Sequence, residues 1–141
     1  MASDAVRAKI NQVVQDAFAT AYPGTLVAFE NTAWTQPVGA PWVHVAYNPG
    51  ESKRKDIGAT RTWRHMGIVI INVMVPQNTG TKTCLQMCDT AFNALADRNF
   101  DLGTDGYLKM CFAERRNRGT VNGWFTYNVQ VEYHQDTTEA V

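Results

Sequence analysis

The chain has 141 residues, of which 45% are hydrophobic and 18% charged, and its formal net charge is zero. That length fits one domain with a single core, and the composition is too apolar for disorder. A neutral chain offers no whole-molecule attraction to nucleic acid or membrane, so any such contact must be local. No apolar run approaches the roughly 20 residues that span a bilayer, and no charged segment followed by an apolar block opens the chain. Membrane partners are therefore not expected, and assembly in the cytoplasm is.

Ser3 or Asp4 can cap a first helix over residues 4–21, whose Val6, Ile10, Val13, Val14, Ala17, Phe18 and Ala21 form one apolar stripe. Tyr22-Pro23-Gly24 stops it. Strands are predicted over 26–30 and 42–47, with a loop from Asn31 to Pro41 between them and Asn48-Pro49-Gly50 after. Residues 51–64 lack hydrophobic periodicity and carry Lys53, Arg54, Lys55, Arg61 and Arg64 against Glu51 and Asp56, which reads as a long, basic, mobile connection. The central strand follows over 63–75. Val69, Ile71, Val73 and Val75 fall on one face and Met66, Ile68, Ile70 and Met74 on the other, so both faces are expected to be covered.

Pro76 ends that strand, and an amphipathic helix is predicted over 81–97 with Cys84, Leu85, Cys88, Ala91, Phe92 and Leu95 toward the sheet. Strands over 107–113 and 124–133 come next, joined through Glu114-Arg115-Arg116-Asn117-Arg118-Gly119. In the last, Phe125, Tyr127, Val129, Val131 and Tyr133 alternate with Thr126, Asn128, Gln130 and Glu132, so one face meets the core and the other water or a partner. Residues 134–141 read as a flexible polar tail. The order implies a single α+β domain over 1–141, with a mostly antiparallel or mixed sheet and both helices on one face.

Catalytic and metal signatures are absent. His44, His65 and His134 are scattered over separate strands, and Cys84, Cys88 and Cys111 read as reduced, small apolar residues. No GxSxG, HExxH, GxGxxG or phosphate-binding glycine loop occurs. Catalytic, cofactor and metal sites are therefore all expected to be none. The remaining candidates are surface features: the basic groups Lys53, Arg54, Lys55, Arg61 and Arg64, a second group Arg115, Arg116 and Arg118, and tryptophans at strand ends, Trp34, Trp42 and Trp124, of the kind that anchor interfaces. A solvated surface and a capped core rim are the plainer readings of the same residues.

Several landmarks recur in a set order: Asn31 to Trp34, Gln36-Pro37 to Trp42-Val43-His44-Val45, Pro49-Gly50-Glu51, Gly58, Thr60-Arg61, Arg64 to Pro76, Thr79-Gly80, and Gly123-Trp124 before the alternating last strand. Over residues 31–133 this order resembles the tail-terminator proteins of long-tailed bacteriophages. The extra lysine and arginine of residues 52–62, and Cys84 and Cys88, depart from the pattern. The resemblance implies a non-enzymatic virion protein that forms a ring, usually a hexamer, on the head-proximal end of the tail tube. There it stops tube polymerisation and offers a surface for head-tail joining. Its partners would be itself, the tail tube protein and the head-tail connector or stopper, with only non-specific contact to DNA in the channel and no cofactor. Another neck or head-completion connector would share this look. A small-ligand or enzymatic α+β domain would need a deep pocket of convergent polar groups.

Overall fold

The computed structural model describes the backbone of residues 2–54 and 60–140, with side chains over 5–53, 62–104 and 106–137. Helix α1 spans Ala2–Ala21, β1 Leu26–Phe29, β2 Trp42–Arg54, β3 Thr60–Pro76, α2 Lys82–Leu95, β4 Asn99–Asp101, β5 Tyr107–Val121 and β6 Trp124–Ala140. The six strands form one mixed sheet in the order β1-β2-β3-β6-β5-β4. Only β1 and β2 run parallel; all other neighbours are antiparallel. This is the expected α+β domain.

The sheet is built from two long hairpins. Strands β3 and β6 pair at its centre from Thr60↔Ala140 to Pro76↔Trp124, so each crosses the whole molecule, roughly 55 Å at strand rise. The β5–β6 hairpin turns on Asn122 and Gly123, both at positive φ (52° and 84°), the geometry a two-residue turn needs to match strand twist. At the start of β5, Gly106 has φ 90°, and a Cβ there would lie 2.0 Å from the Asp136 carbonyl oxygen. Only glycine fits against β6 at that point.

One face of the sheet carries the core. Val43 and Val45 of β2, Val69, Ile71, Val73 and Val75 of β3, and Val129 and Val131 of β6 are buried there. α1 lays Val6, Ile10, Val14 and Phe18, spaced four apart, onto this surface, and α2 adds Cys84, Met87, Cys88, Ala91 and Leu95. Both helices lie on the same face, as expected. Tyr47 ties α1 to the sheet: its hydroxyl donates to the Asn11 side chain, and the Arg7 guanidinium sits 4.7 Å from its ring centre. Gly67, mid-strand, leaves room for the Tyr133 side chain, whose hydroxyl oxygen a Cβ would meet at 2.6 Å.

Several expectations need correction. The stripe of α2 is rotated: Leu85 is 38% exposed, and Met87, on the other flank of the Cys84-Cys88-Ala91-Leu95 row, is buried instead. On the opposite face Met66, Ile68, Ile70 and Met74 are half-buried, not covered, and among the described residues only the 30–41 connection lies over one end of it. Residues 51–64 are not one long loop, because β2 continues to Arg54 and β3 starts at Thr60. Residues 134–140 are not a flexible tail but the end of β6, paired along β3. β5 runs on through Arg115, Arg116 and Arg118 to Val121, and the short β4 was not foreseen. The chain survives Pro49 in β2 because the register shifts there, between Pro49 and Ser52, on a stretch of outer edge that β1 does not reach.

Candidate assembly surface

The sheet has two unlike ends. At the one where β5 and β6 turn, the tryptophans gather on the helix-free face. Trp34, from the 30–41 connection, lies 4.7 Å from Trp42 between ring centres, and Trp124 meets Trp42 edge-on at 6.0 Å and 82°. Trp34 also neighbours His44 at 6.1 Å. Under this cover Trp42 is only 4% exposed, while Trp34 remains 40% exposed.

Beside the aromatics a cleft of about 530 Å³ runs along β2, β3 and β6. Its walls combine Trp42, Trp124, Ile70 and Met74 with the amides of Gln36, Asn72, Asn128 and Gln130. Among the described residues that line it, Arg118 alone is charged. The outward positions of β6 were expected to meet water or a partner, but nothing in the sequence signalled that they would join Trp42 and Arg118 in one hollow. That meeting depends on the register His44↔Asn72↔Asn128 across three strands.

The other end is an arm made of the β2–β3 hairpin and the last turn of β6, beyond the point where Tyr107 of β5 faces Asp136. Among its described residues none belongs to the core, and hydrogen-bonded polar rungs hold it together. Arg64 donates to both Asp136 carboxylate oxygens, at 2.9 and 3.1 Å, and this bond holds its guanidinium even more firmly protonated than usual. His65 bridges three strands, with Nδ1 2.7 Å from the Ser52 hydroxyl and Nε2 3.1 Å from the Thr137 hydroxyl. Lys53 lies 3.4 Å from Glu51. Arg61 stands opposite Glu139 in register. The side chains of Arg54 and Arg61, and all of Lys55, lie outside the described residues. The acids of β6 thus sit across from the basic residues of β3, which no local reading of residues 51–64 could reveal.

The second basic group is divided between the two faces. Arg115 points to the helices, 2.6 Å from Asp89 of α2 and 4.7 Å over the Phe92 ring. Arg116, on the open face, pairs with Glu114 two residues away. Arg118 has no ion-pair partner among the described residues. The structure therefore brings Trp34, Trp42, Trp124 and Arg118 together, places Lys53 and Arg64 on the arm, and sets Arg115 apart against α2. Tyr107, Phe112 and Val121, all exposed on β5, were missed by the sequence reading.

Among the described residues no group of three or more His, Cys, Asp or Glu comes together as a metal site. Cys84 and Cys88 face the core, where the hydrogen bond with Cys84 and burial push the Cys88 thiol up, away from reactivity. No described helix is long and apolar enough to cross a membrane.

Comparison with known proteins fits this picture. One solved protein chain superposes with a TM-score of 0.72, at 19% identity over 96% of this chain and 96% of that chain, which shows the fold alone. No curated protein matches the sequence. A family model described as phage tail terminator protein matches residues 2–133, nearly the whole chain. The chain therefore belongs to the phage tail terminator family and is a structural protein of the phage tail.

Proposed function

We propose that the protein forms a closed ring, a hexamer, that caps the head-proximal end of the tail tube, stops further tube growth and presents the surface to which the head connector or stopper joins. The observation that carries this reading is the presence of two unlike surfaces at opposite ends of one continuous sheet. Along β6, Trp124 at the cleft and Asp136 at the base of the charged arm are 12 positions apart, about 40 Å at strand rise. A ring needs two different, complementary flanks on every subunit, since a head-to-tail contact joins unlike patches. A rigid sheet that displays such patches holds them in a fixed relation, so the rotation per subunit is fixed too.

The arm favours protein over DNA as its target. Of the arm's basic side chains that are described, Arg64 and Lys53 already pair with Asp136 and Glu51 of the same subunit, which lowers what these two offer to phosphate. Repetition of a modest contact around a ring adds avidity without new contact types. The test is tube assembly in vitro from tail tube subunits, with lengths read by electron microscopy. Tubes should stop growing at one end at substoichiometric protein, with a ring visible on that end. Growth past bound rings would reject capping, and a protein that binds only the head connector would identify a neck component instead.

A further inference from the structure

We propose that neighbouring subunits join edge to edge, so that the sheet of one copy of this chain continues into the sheet of the next; this names the two flanks of the proposed ring and rests on that reading. The two borders of the sheet are stepped in complementary ways. On one border β1 covers β2 over residues 42–45, and among the described residues no strand lies beside 46–54. On the other, β4 covers β5 over residues 107–109, and among the described residues no strand lies beside 111–121. The registers put each projecting strand level with the notch on the opposite border. Val27 of β1 shares a rung with Val43, Val73, Tyr127 and Asn117, so β1 stands level with residues 115–119 of β5. Asp101 of β4 shares one with Tyr107, Asp136, Arg64 and Lys53, so β4 stands level with the outer edge of β2 near Lys53. A second copy set alongside in the same orientation therefore seats its β1 beside the first copy's β5, at the cleft end, while the first copy's β4 enters the notch beside the second copy's β2, on the arm.

Strand direction fits. β1 runs opposite to β5, so the first new pair is antiparallel, and β4 runs with β2, so the second is parallel. Edge strands present unpaired N–H and C=O groups that another chain can bond. The edges are interrupted only at the level that neither projecting strand reaches. There the Tyr47 N–H donates to the Glu30 carboxylate and Pro49 has no N–H to give. On the opposite border, level with these two, β5 shifts register between Met110 and Ala113, and the Met110 N–H donates to the Arg98 carbonyl. Charge agrees too: Asp101 of one copy comes beside Lys53 of the next, and Lys53 is held in its own chain only by Glu51 at 3.4 Å, with both side chains more than half exposed. The new ladders are short, since β1 has four residues and β4 three. Two of them at every joint, repeated until the ring closes, add avidity that one alone lacks.

The test links the two borders by cysteine. Lys53 and Asp101 lie four strand spacings apart within one chain, about 19 Å, as do Val27 and Asn117, which is too far for a disulfide inside a subunit. After mild oxidation, Lys53→Cys with Asp101→Cys, and separately Val27→Cys with Asn117→Cys, should each give a ladder of linked chains on denaturing gels that ends at the number of subunits in the ring. The four single variants, and the parent with its own Cys84, Cys88 and Cys111, should stay unlinked under the same oxidation. Electron microscopy of the parent reads ring formation independently. Linked dimers from a single variant would overturn the joint, by showing that two copies meet through the same edge. A ladder from only one double variant would overturn the two-notch fit. If the parent forms rings and neither double variant links, the edge joint fails alone; if the parent forms no rings and nothing links, the ring reading fails and the joint with it.

Discussion

The two faces of the same sheet differ in what completes them. On the helix side, Val69, Ile71, Val73 and Val75 are sealed by α1 and α2 in one core cluster within the chain. On the other side, the intervening residues Ile68, Ile70, Asn72 and Met74 remain half-buried, with only the three tryptophans and the 30–41 connection near one end. Apolar residues on both sides of β3 predict a strand covered on both faces. In an assembling protein the second cover can come from another chain, because the hydrophobic requirement is for burial and not for burial within one polypeptide.

Substitutions on alternate positions of β3 sharpen this contrast most. Ile71→Ala should cost about 2–5 kcal/mol in chemical denaturation of the isolated protein, as a fully buried core site does. Ile70→Ala should cost less than Ile71→Ala, about 1–2 kcal/mol in the same experiment, since part of its side chain stays in water in the subunit. Equal losses would mean that the open face is as well covered as the core.

Alkaline unfolding probes the helix side alone. Burial, with smaller contributions from Tyr133 and Glu30, raises the Tyr47 phenol above its ordinary 10.0. Folded Tyr47 therefore keeps its proton after an unfolded tyrosine has lost it, so its share of the stability is complete below about pH 10 and declines as pH rises further. The slope from this group is up to about 1.4 kcal/mol per pH unit. Melting curves between about pH 9 and 11 should fall less steeply for Tyr47→Phe than for the parent, and parallel slopes would remove Tyr47 from the explanation.

Two neighbouring arginines give the smallest and most discriminating comparison. Arg115→Ala should lower stability by about 1 kcal/mol, through loss of the contact with Asp89 and the stacking on Phe92, both partly exposed. Arg116→Ala, on the open face, should change it by less than about 0.5 kcal/mol. A reversed order in thermal melts would contradict the division of β5 between the faces.

How much of this the sequence disclosed follows from where each element gets its stability. The α1 stripe and the odd positions of β3 and β6 were legible because burial writes a period into the sequence. The polar ends of β2, β5 and β6 were not, because Glu114 to Gly119 and His134 to Ala140 are held by pairing with remote strands and not by an apolar face. Arg64 and Asp136 are 72 positions apart, so their bond leaves no local mark. Within the candidate surface, the tryptophans stood out by residue type and Asn128 and Gln130 by alternation. Their convergence on Arg118 needed the strand register.

The account's central claim is that the unfinished face and ends of this sheet are completed by assembly at the end of the tail tube. The most direct measurement is the length distribution of tubes grown from tail tube subunits with and without this protein, together with images of their ends. The account predicts short tubes carrying one ring at one end at substoichiometric protein. Tubes of unchanged length, or rings scattered along their sides, would contradict it.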